Sequence, residues 1–138
     1  MPWVMDCSIA VALGLPDENS EKADSFLQQI TNEEVWVSSL WWHEIGNVIV
    51  SARRRKRITD NDASGLMQLY AALPVHTDVA YGSELLERTH RLAMSYNLSA
   101  YDAAYLELAE RKQAGLATLD TGLHKAAQTC GVSLFAIP

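Results

Sequence analysis

The sequence has little of what staples small folds together or anchors a chain to a membrane. Two cysteines occur in 138 residues, Cys7 and Cys130, and neither has partner ligands at metal spacing. That argues against a disulfide framework or a cysteine-based metal knot and leaves two buried thiols suited to a reducing compartment. No apolar run approaches the ~20 residues needed to span a bilayer. The amino-terminal residues also lack the charged-then-apolar pattern of a secretory signal. A cytoplasmic location with no membrane partner is the expectation. No linker, internal repeat or low-complexity tract breaks the chain, so residues 1–138 read as a single domain long enough to bury a sizeable core. Positive charge is scarce as well: 11 Lys and Arg stand against 17 Asp and Glu, a formal net charge of −6. Such a balance argues at first against a nucleic-acid partner, but distribution matters more than the sum. Five of the 11 cations are packed into Arg53-Arg54-Arg55-Lys56-Arg57. A basic, RNA-binding strip on an acidic body is one reading of that run. A solvated helix end, with cations on its C-terminal dipole, explains it equally well.

What is present is an alternation of short apolar runs and longer helical patterns. Trp3-Val4-Met5 predicts a first strand, followed by a short helical turn over Ser8–Leu13 that Gly14 ends. Pro16–Asn19 reads as a loop, about Ser20 to Ile30 as a helix, and Val35–Val37 as the second strand. Leu40–Val50 is apolar nearly all round, the mark of a core helix. Thr59-x-x-Asp62 opens the next helix, Val75-His76 is a marginal strand, and Asp78 is placed to cap a helix from about Val79 to Tyr96. Asn97 stops that helix, and Ser99-x-x-Asp102 has the spacing of a capping box for the following one. That helix is mostly apolar, with Ala103, Tyr105, Leu106 and Ala109 among its interior positions. Leu116–Leu119 reads as a buried strand, Thr121–Cys130 as a helix and Val132–Ile137 as a last strand. The alternation predicts an α/β fold: a central, mostly parallel sheet with helices on both faces.

Ligands of such sheets bind outside the carboxyl ends of the strands. Asp6 and Asp120 each follow an apolar run directly, Asp102 lies in the first turn of its helix, and Glu44 sits in the middle of the core helix. Asp6, Asp102 and Asp120 all have a plain explanation as helix caps. Glu44 has none; buried without a partner it would cost several kcal/mol or take up a proton. It needs a cation, a strong donor or a wet cleft. Asn47, three residues on, shares its face, whereas His43 points about 100° away. All four acids can converge on one rim, where like charges about 4 Å apart repel by roughly 4 kcal/mol. A divalent cation relieves that repulsion, and oxygen ligands without His or Cys favour Mg²⁺ or Mn²⁺ over zinc. Such a site suits metal-assisted hydrolysis of a phosphodiester. The four histidines, His43, His76, His90 and His124, match no ligand spacing. Asp78 is either a further acid near the rim or a helix cap.

Four stretches carry a resemblance over essentially the whole chain: Val4-Met5-Asp6-Cys7-Ser8, Glu44 with Asn47, Ser99-Ala100-Tyr101-Asp102-Ala103, and Ala117-Thr118-Leu119-Asp120-Thr121-Gly122-Leu123. In this order they resemble the motifs of PIN-domain ribonucleases, most closely the VapC toxins of toxin–antitoxin pairs. The resemblance implies a PIN-like three-layer sandwich in which Asp6, Glu44, Asp102 and Asp120 hold Mg²⁺ or Mn²⁺ and carry out RNA hydrolysis. Ser8, Asn47 and Thr118 match polar positions that line or support that site. It further implies a structured RNA substrate such as tRNA or ribosomal RNA, a homodimer, and silencing by a cognate antitoxin. Cys7 departs from the family's frequent threonine, and Trp41-Trp42 is bulkier than its usual pattern. A non-catalytic PIN-like module that grips RNA or a partner through Arg53–Arg57 is the alternative. A receiver-type signalling domain fits poorly, since no second acid follows Asp6 and Lys125 lies within a helix.

Overall fold

Trp3–Met5 form β1, which takes parallel neighbours on both sides in the computed structural model, where residues 1–138 are all described. The remaining elements are α1 (Cys7–Gly14), a 3-10 turn (Pro16–Glu18), α2 (Glu21–Gln29), β2 (Val35–Ser38), α3 (Ser39–Arg54), α4 (Asp60–Ala72), β3 (Val75–Asp78), α5 (Ser83–Tyr96), α6 (Ala100–Lys112), β4 (Gly115–Ala117) and α7 (Thr121–Cys130). The four strands form one sheet in the order β3-β2-β1-β4, every pair parallel. Parallel neighbours require crossovers, and crossovers are right-handed. The chain steps from β1 to β2 to β3 in one direction, carrying α1–α4, and then returns past β1 to β4, carrying α5 and α6. Reversing the direction puts the two sets of helices on opposite faces, which is the expected three-layer α/β architecture. α1 packs on α2 and α3, and α3 on α4, while α6 packs on α5 and α7 and crosses β1, β2 and β4.

The reversal also places β1 between a strand reached forwards and one reached backwards. The crevice beyond their carboxyl ends is the usual ligand position of such sheets. The three strands β2, β1 and β4 are largely interior, with Val4, Met5, Val35, Val37, Leu116 and Ala117 all buried, whereas the edge strand β3 has no buried residue. Register is held partly by Gly115, opposite Trp3 on β1, where any side chain would collide with the Trp3 ring. No helix is long and apolar enough to cross a membrane.

Two expectations are corrected. The run Val132–Ile137 is not a strand; it makes a single bridge, Leu116 to Leu134. Packing holds it instead of a ladder: the Phe135 ring lies edge-on to Trp3 at 5.7 Å and to Phe26 at 5.1 Å. The helix expected from Val79 starts only at Ser83, after Gly82 in a positive-φ conformation (103°), so Asp78 does not cap it. Asp78 ends β3, and both its oxygens are taken by the Arg111 guanidinium at 2.9 and 2.7 Å. The Pro16–Glu18 loop tightens into a 3-10 turn, with proline at the position where its missing N–H is no loss. The core helix reaches Arg54, so the first two residues of the basic run form its last turn.

Candidate active site

Asp6 leaves β1 and caps α1, its Oδ1 accepting from Ile9 N at 3.2 Å. The same oxygen accepts from Ser8 Oγ at 2.6 Å, and Oδ2 accepts from the Thr118 hydroxyl. Each hydroxyl also accepts a backbone N–H from the exit of β4: Leu119 N to Ser8 Oγ at 2.8 Å and Asp120 N to Thr118 Oγ1 at 3.0 Å. Ser8 and Thr118 thereby tie the ends of β1 and β4 together through one buried carboxylate. Burial raises the Asp6 carboxyl to about 6; the three hydrogen bonds resist the shift and the Asp102 charge adds to it. Asp120 caps α7, with Oδ1 accepting from Leu123 N at 2.8 Å, and Oδ2 accepts nothing from the protein.

Asp102 has a different standing from the cap that its spacing suggests. Ser99 Oγ does accept from Asp102 N at 3.1 Å, but the reciprocal bond from the Ser99 N–H is absent, and the Ser99 hydroxyl is the one group that eases the Asp102 charge. The same spacing at Thr59 and Asp62 gives a full capping box, with Thr59 N donating to Asp62 Oδ2 at 2.9 Å. The two aspartates therefore shift oppositely. Backbone and hydroxyl hydrogen bonds lower Asp62, whereas burial first and the Asp120 charge second raise Asp102. Glu44 lies half-buried in α3, and its Oε1 accepts from Tyr105 Oη at 2.6 Å. Its carboxyl is raised by burial and then by the charge of Asp102, against the lowering effect of the Tyr105 bond.

Asp102 is thus the common electrostatic neighbour of Asp6, Glu44 and Asp120. The structure brings the four acids to one rim but does not collapse them: no three His, Cys, Asp or Glu side chains are gathered closely enough to cage an ion. It is the donor chemistry, oxygen without His or Cys, that fits Mg²⁺ or Mn²⁺ better than zinc. Mg²⁺ keeps several of its waters and takes only one or two carboxylates plus substrate phosphate, whereas structural zinc requires a closed set of four. The donor set is all oxygen, and Asp120 Oδ2 and Glu44 Oε2 carry no competing hydrogen bond.

Of the remaining expected residues, Asn47 is exposed and its side chain makes no hydrogen bond. The basic run is divided. Arg53 donates to Asp60 Oδ1 at 2.5 Å and Ile58 O at 3.0 Å, and Arg57 pairs with Asp17 at 2.7 Å, while Arg54, Arg55 and Lys56 are exposed. Cys7 borders the rim, but burial and the nearby Glu44 and Asp6 charges push its thiol up to about 12, which leaves it inert as a nucleophile. Two groups escaped the sequence reading. Lys22 on α2 donates from Nζ to Thr118 O at 2.9 Å, and nothing in an ordinary amphipathic first turn signals this. Tyr105, which the helix pattern places in the core and which is buried there, also reaches Glu44 through its hydroxyl; its place three residues after Asp102, on the same helix face, is the available clue.

The sequence pattern of the family described as "PIN domain" matches residues 4–128. A relative from Pyrobaculum aerophilum, described as "Ribonuclease VapC3", is 32% identical over 127 residues, covering 89% of this chain and 92% of its own. Among solved structures, PAE2754 from Pyrobaculum aerophilum superposes with a TM-score of 0.70 at 24% identity, over 98% of this chain and 84% of that one. A toxin–antitoxin complex from Klebsiella pneumoniae contains a chain that superposes at 0.59 with 19% identity, over 86% of each chain. At those identities the two structures speak for the fold alone.

Proposed function

The chain belongs to the PIN-domain family, alongside VapC-type ribonucleases, and from that premise we propose that it is the toxin of a toxin–antitoxin pair. In this reading it is an Mg²⁺- or Mn²⁺-dependent endoribonuclease that hydrolyses phosphodiester bonds in tRNA or ribosomal RNA at the rim of Asp6, Glu44, Asp102 and Asp120. The observation that carries the reading is the Asp102 carboxylate, which is half-buried, lacks the backbone N–H of a capping box and is the electrostatic neighbour of Asp6, Glu44 and Asp120. A structural cap has no reason to be so placed, since it would be stabilised by the N–H groups that Asp102 leaves unused.

Asp102, Asp120 and Glu44 would hold the cation through their uncommitted oxygens, with Asp6 fixed behind them by Ser8 and Thr118. When bound, the cation neutralises charge on the phosphate and eases ionisation of the attacking water. The water oxygen would add to phosphorus as the bond to the ribose oxygen breaks, the water giving up a proton to solvent and the leaving ribose oxygen taking one from solvent. The apolar groove between α3 and α4, about 620 Å³ and lined by Trp42, Ile45, Ile49, Val50 and Met67 among others, offers a cognate antitoxin a seat on the helix that carries Glu44. A second copy of the chain is the other protein partner of this reading. Arg54, Arg55 and Lys56, exposed at the far end of α3, are its phosphate contacts.

Replacing Asp102 by Asn changes neither size nor helix capping. The expected result is at least a ~100-fold loss of RNA cleavage and loss of growth arrest with an unaltered circular dichroism spectrum. Cleavage persisting in purified Asp102→Asn protein overturns the reading. Protein that binds RNA but neither cleaves it nor takes up Mn²⁺ is instead a non-catalytic binding module.

A further inference from the structure

Tyr105 is 1% exposed, its ring packed in the interior of α6, yet its hydroxyl is not idle. It donates to Glu44 Oε1 at 2.6 Å, joining helices 61 residues apart in sequence. Glu44 has no other hydrogen-bond partner in the protein. A glutamate side chain turns about three bonds, and a half-buried one without an anchor would exchange between rim and solvent. A buried phenol turns about two, and the surrounding core fixes both. The bond therefore passes the rigidity of the core to one carboxylate oxygen and leaves Oε2 without a hydrogen-bond partner. Ser38 Oγ, buried and otherwise unpartnered, lies beside the phenol oxygen and is available to its lone pairs.

Packing does not account for this hydroxyl. Phenylalanine has the same shape, and a buried hydroxyl is unfavourable unless it is bonded. Tyr70 provides the contrast: its Oη donates to the backbone Ala10 O at 2.7 Å, a bond that joins α4 to α1 and touches no acid of the rim. We propose that Tyr105 is a positioning residue, whose O–H fixes Glu44 Oε1 so that Oε2 is presented to the divalent cation. This rests on the reading of the rim as a cation site.

The test is Mn²⁺ titration of chelator-stripped protein by calorimetry, with free Mn²⁺ followed by electron paramagnetic resonance. Tyr105→Phe is expected to weaken Mn²⁺ binding about 10-fold or more, the usual effect of removing a group that orients a metal ligand. Tyr70→Phe, which loses a comparable buried hydrogen bond, leaves the affinity within about twofold. In a Glu44→Gln background the Tyr105→Phe change adds nothing further. Raised Mn²⁺ restores cleavage by Tyr105→Phe, which a purely structural defect does not allow. Wild-type affinity in Tyr105→Phe overturns this inference alone. Wild-type protein that binds no Mn²⁺ overturns the cation site itself and the inference with it.

Discussion

Asp6 is a carboxylate that folding makes harder to ionise. Its carboxyl stands at about 6 when folded against 3.8 ordinarily, so the folded chain binds this proton more tightly than the unfolded one. Stability from this group is therefore full below about pH 4 and declines as pH rises through 6, by about 3 kcal/mol in all. Glu44 and Asp102, raised chiefly by burial, act in the same direction. Asp78 acts oppositely: Arg111 lowers it, so its contribution is present near neutral pH and lost on acidification. Urea denaturation of chelator-stripped protein is expected to give a higher stability at pH 5 than at pH 7.5, and Asp6→Asn should flatten the difference. Equal pH dependence in the wild type and Asp6→Asn would show that the Asp6 charge is not the source. The rim is thus a place where function is set against stability.

At the scale of elements, α6 is the helix on which most depends. Its first turn carries Asp102, its second Tyr105, and its last half the buried Glu107, which is 2% exposed and paired with Arg111 at 2.8 Å and Arg88 at 3.8 Å. Arg111 also takes Asp78 at 2.7 Å, so β3, α5 and α6 are joined by one ion-pair network. Glu107→Gln leaves these guanidinium groups short of a buried counter-charge. A loss of about 2 kcal/mol in thermal or urea denaturation is expected, below the full effect for buried pairs because Arg111 is a third exposed. Asp78→Asn should also lower the melting temperature but leave RNA cleavage at the wild-type rate; lost cleavage would return Asp78 to the rim. On α3, Arg54 lies ten residues beyond Glu44, roughly 15 Å along the axis. If that end grips RNA, Arg54→Gln with Arg55→Gln reduces the slope of log affinity against log salt by about 1.4–1.8 while cleavage chemistry is kept. An unchanged slope returns the run to a solvated helix end.

At the scale of the molecule, the sheet order decides that a site exists at all. Because β4 follows β3 in sequence but pairs with β1, Asp6 and Asp120 become neighbours across 114 residues. Metal binding should then couple to global stability: Mn²⁺ in excess raises the melting temperature at pH 7.5 in the wild type and not in Asp102→Asn, measured by calorimetry. A rise of equal size in both would place the bound ion elsewhere. Local pattern places most of the elements and nominates the candidate acids, though it makes a strand of Val132–Ile137 and starts α5 four residues early. Apolar runs gave three of the four strands clearly, and Glu44, uncapped in the middle of a core helix, marked itself as a residue in need of a partner. Spacing also offered Ser99-x-x-Asp102 and Thr59-x-x-Asp62 as equivalent caps, and they are not. Tertiary structure alone separates them, because Asp62 faces only its own helix start whereas Asp102 is drawn among the acids of other segments. The same holds for Asp78, which Arg111 claims from a different helix, for the tail that Phe135 anchors by packing, and for the Tyr105 hydroxyl that supplies Glu44 with its donor. Sequence determined which groups carry charge and which segments are helical, since both depend on near neighbours. Which charges stand uncompensated was decided only by the fold, because a carboxylate's proton affinity and freedom depend on whatever the chain brings back beside it.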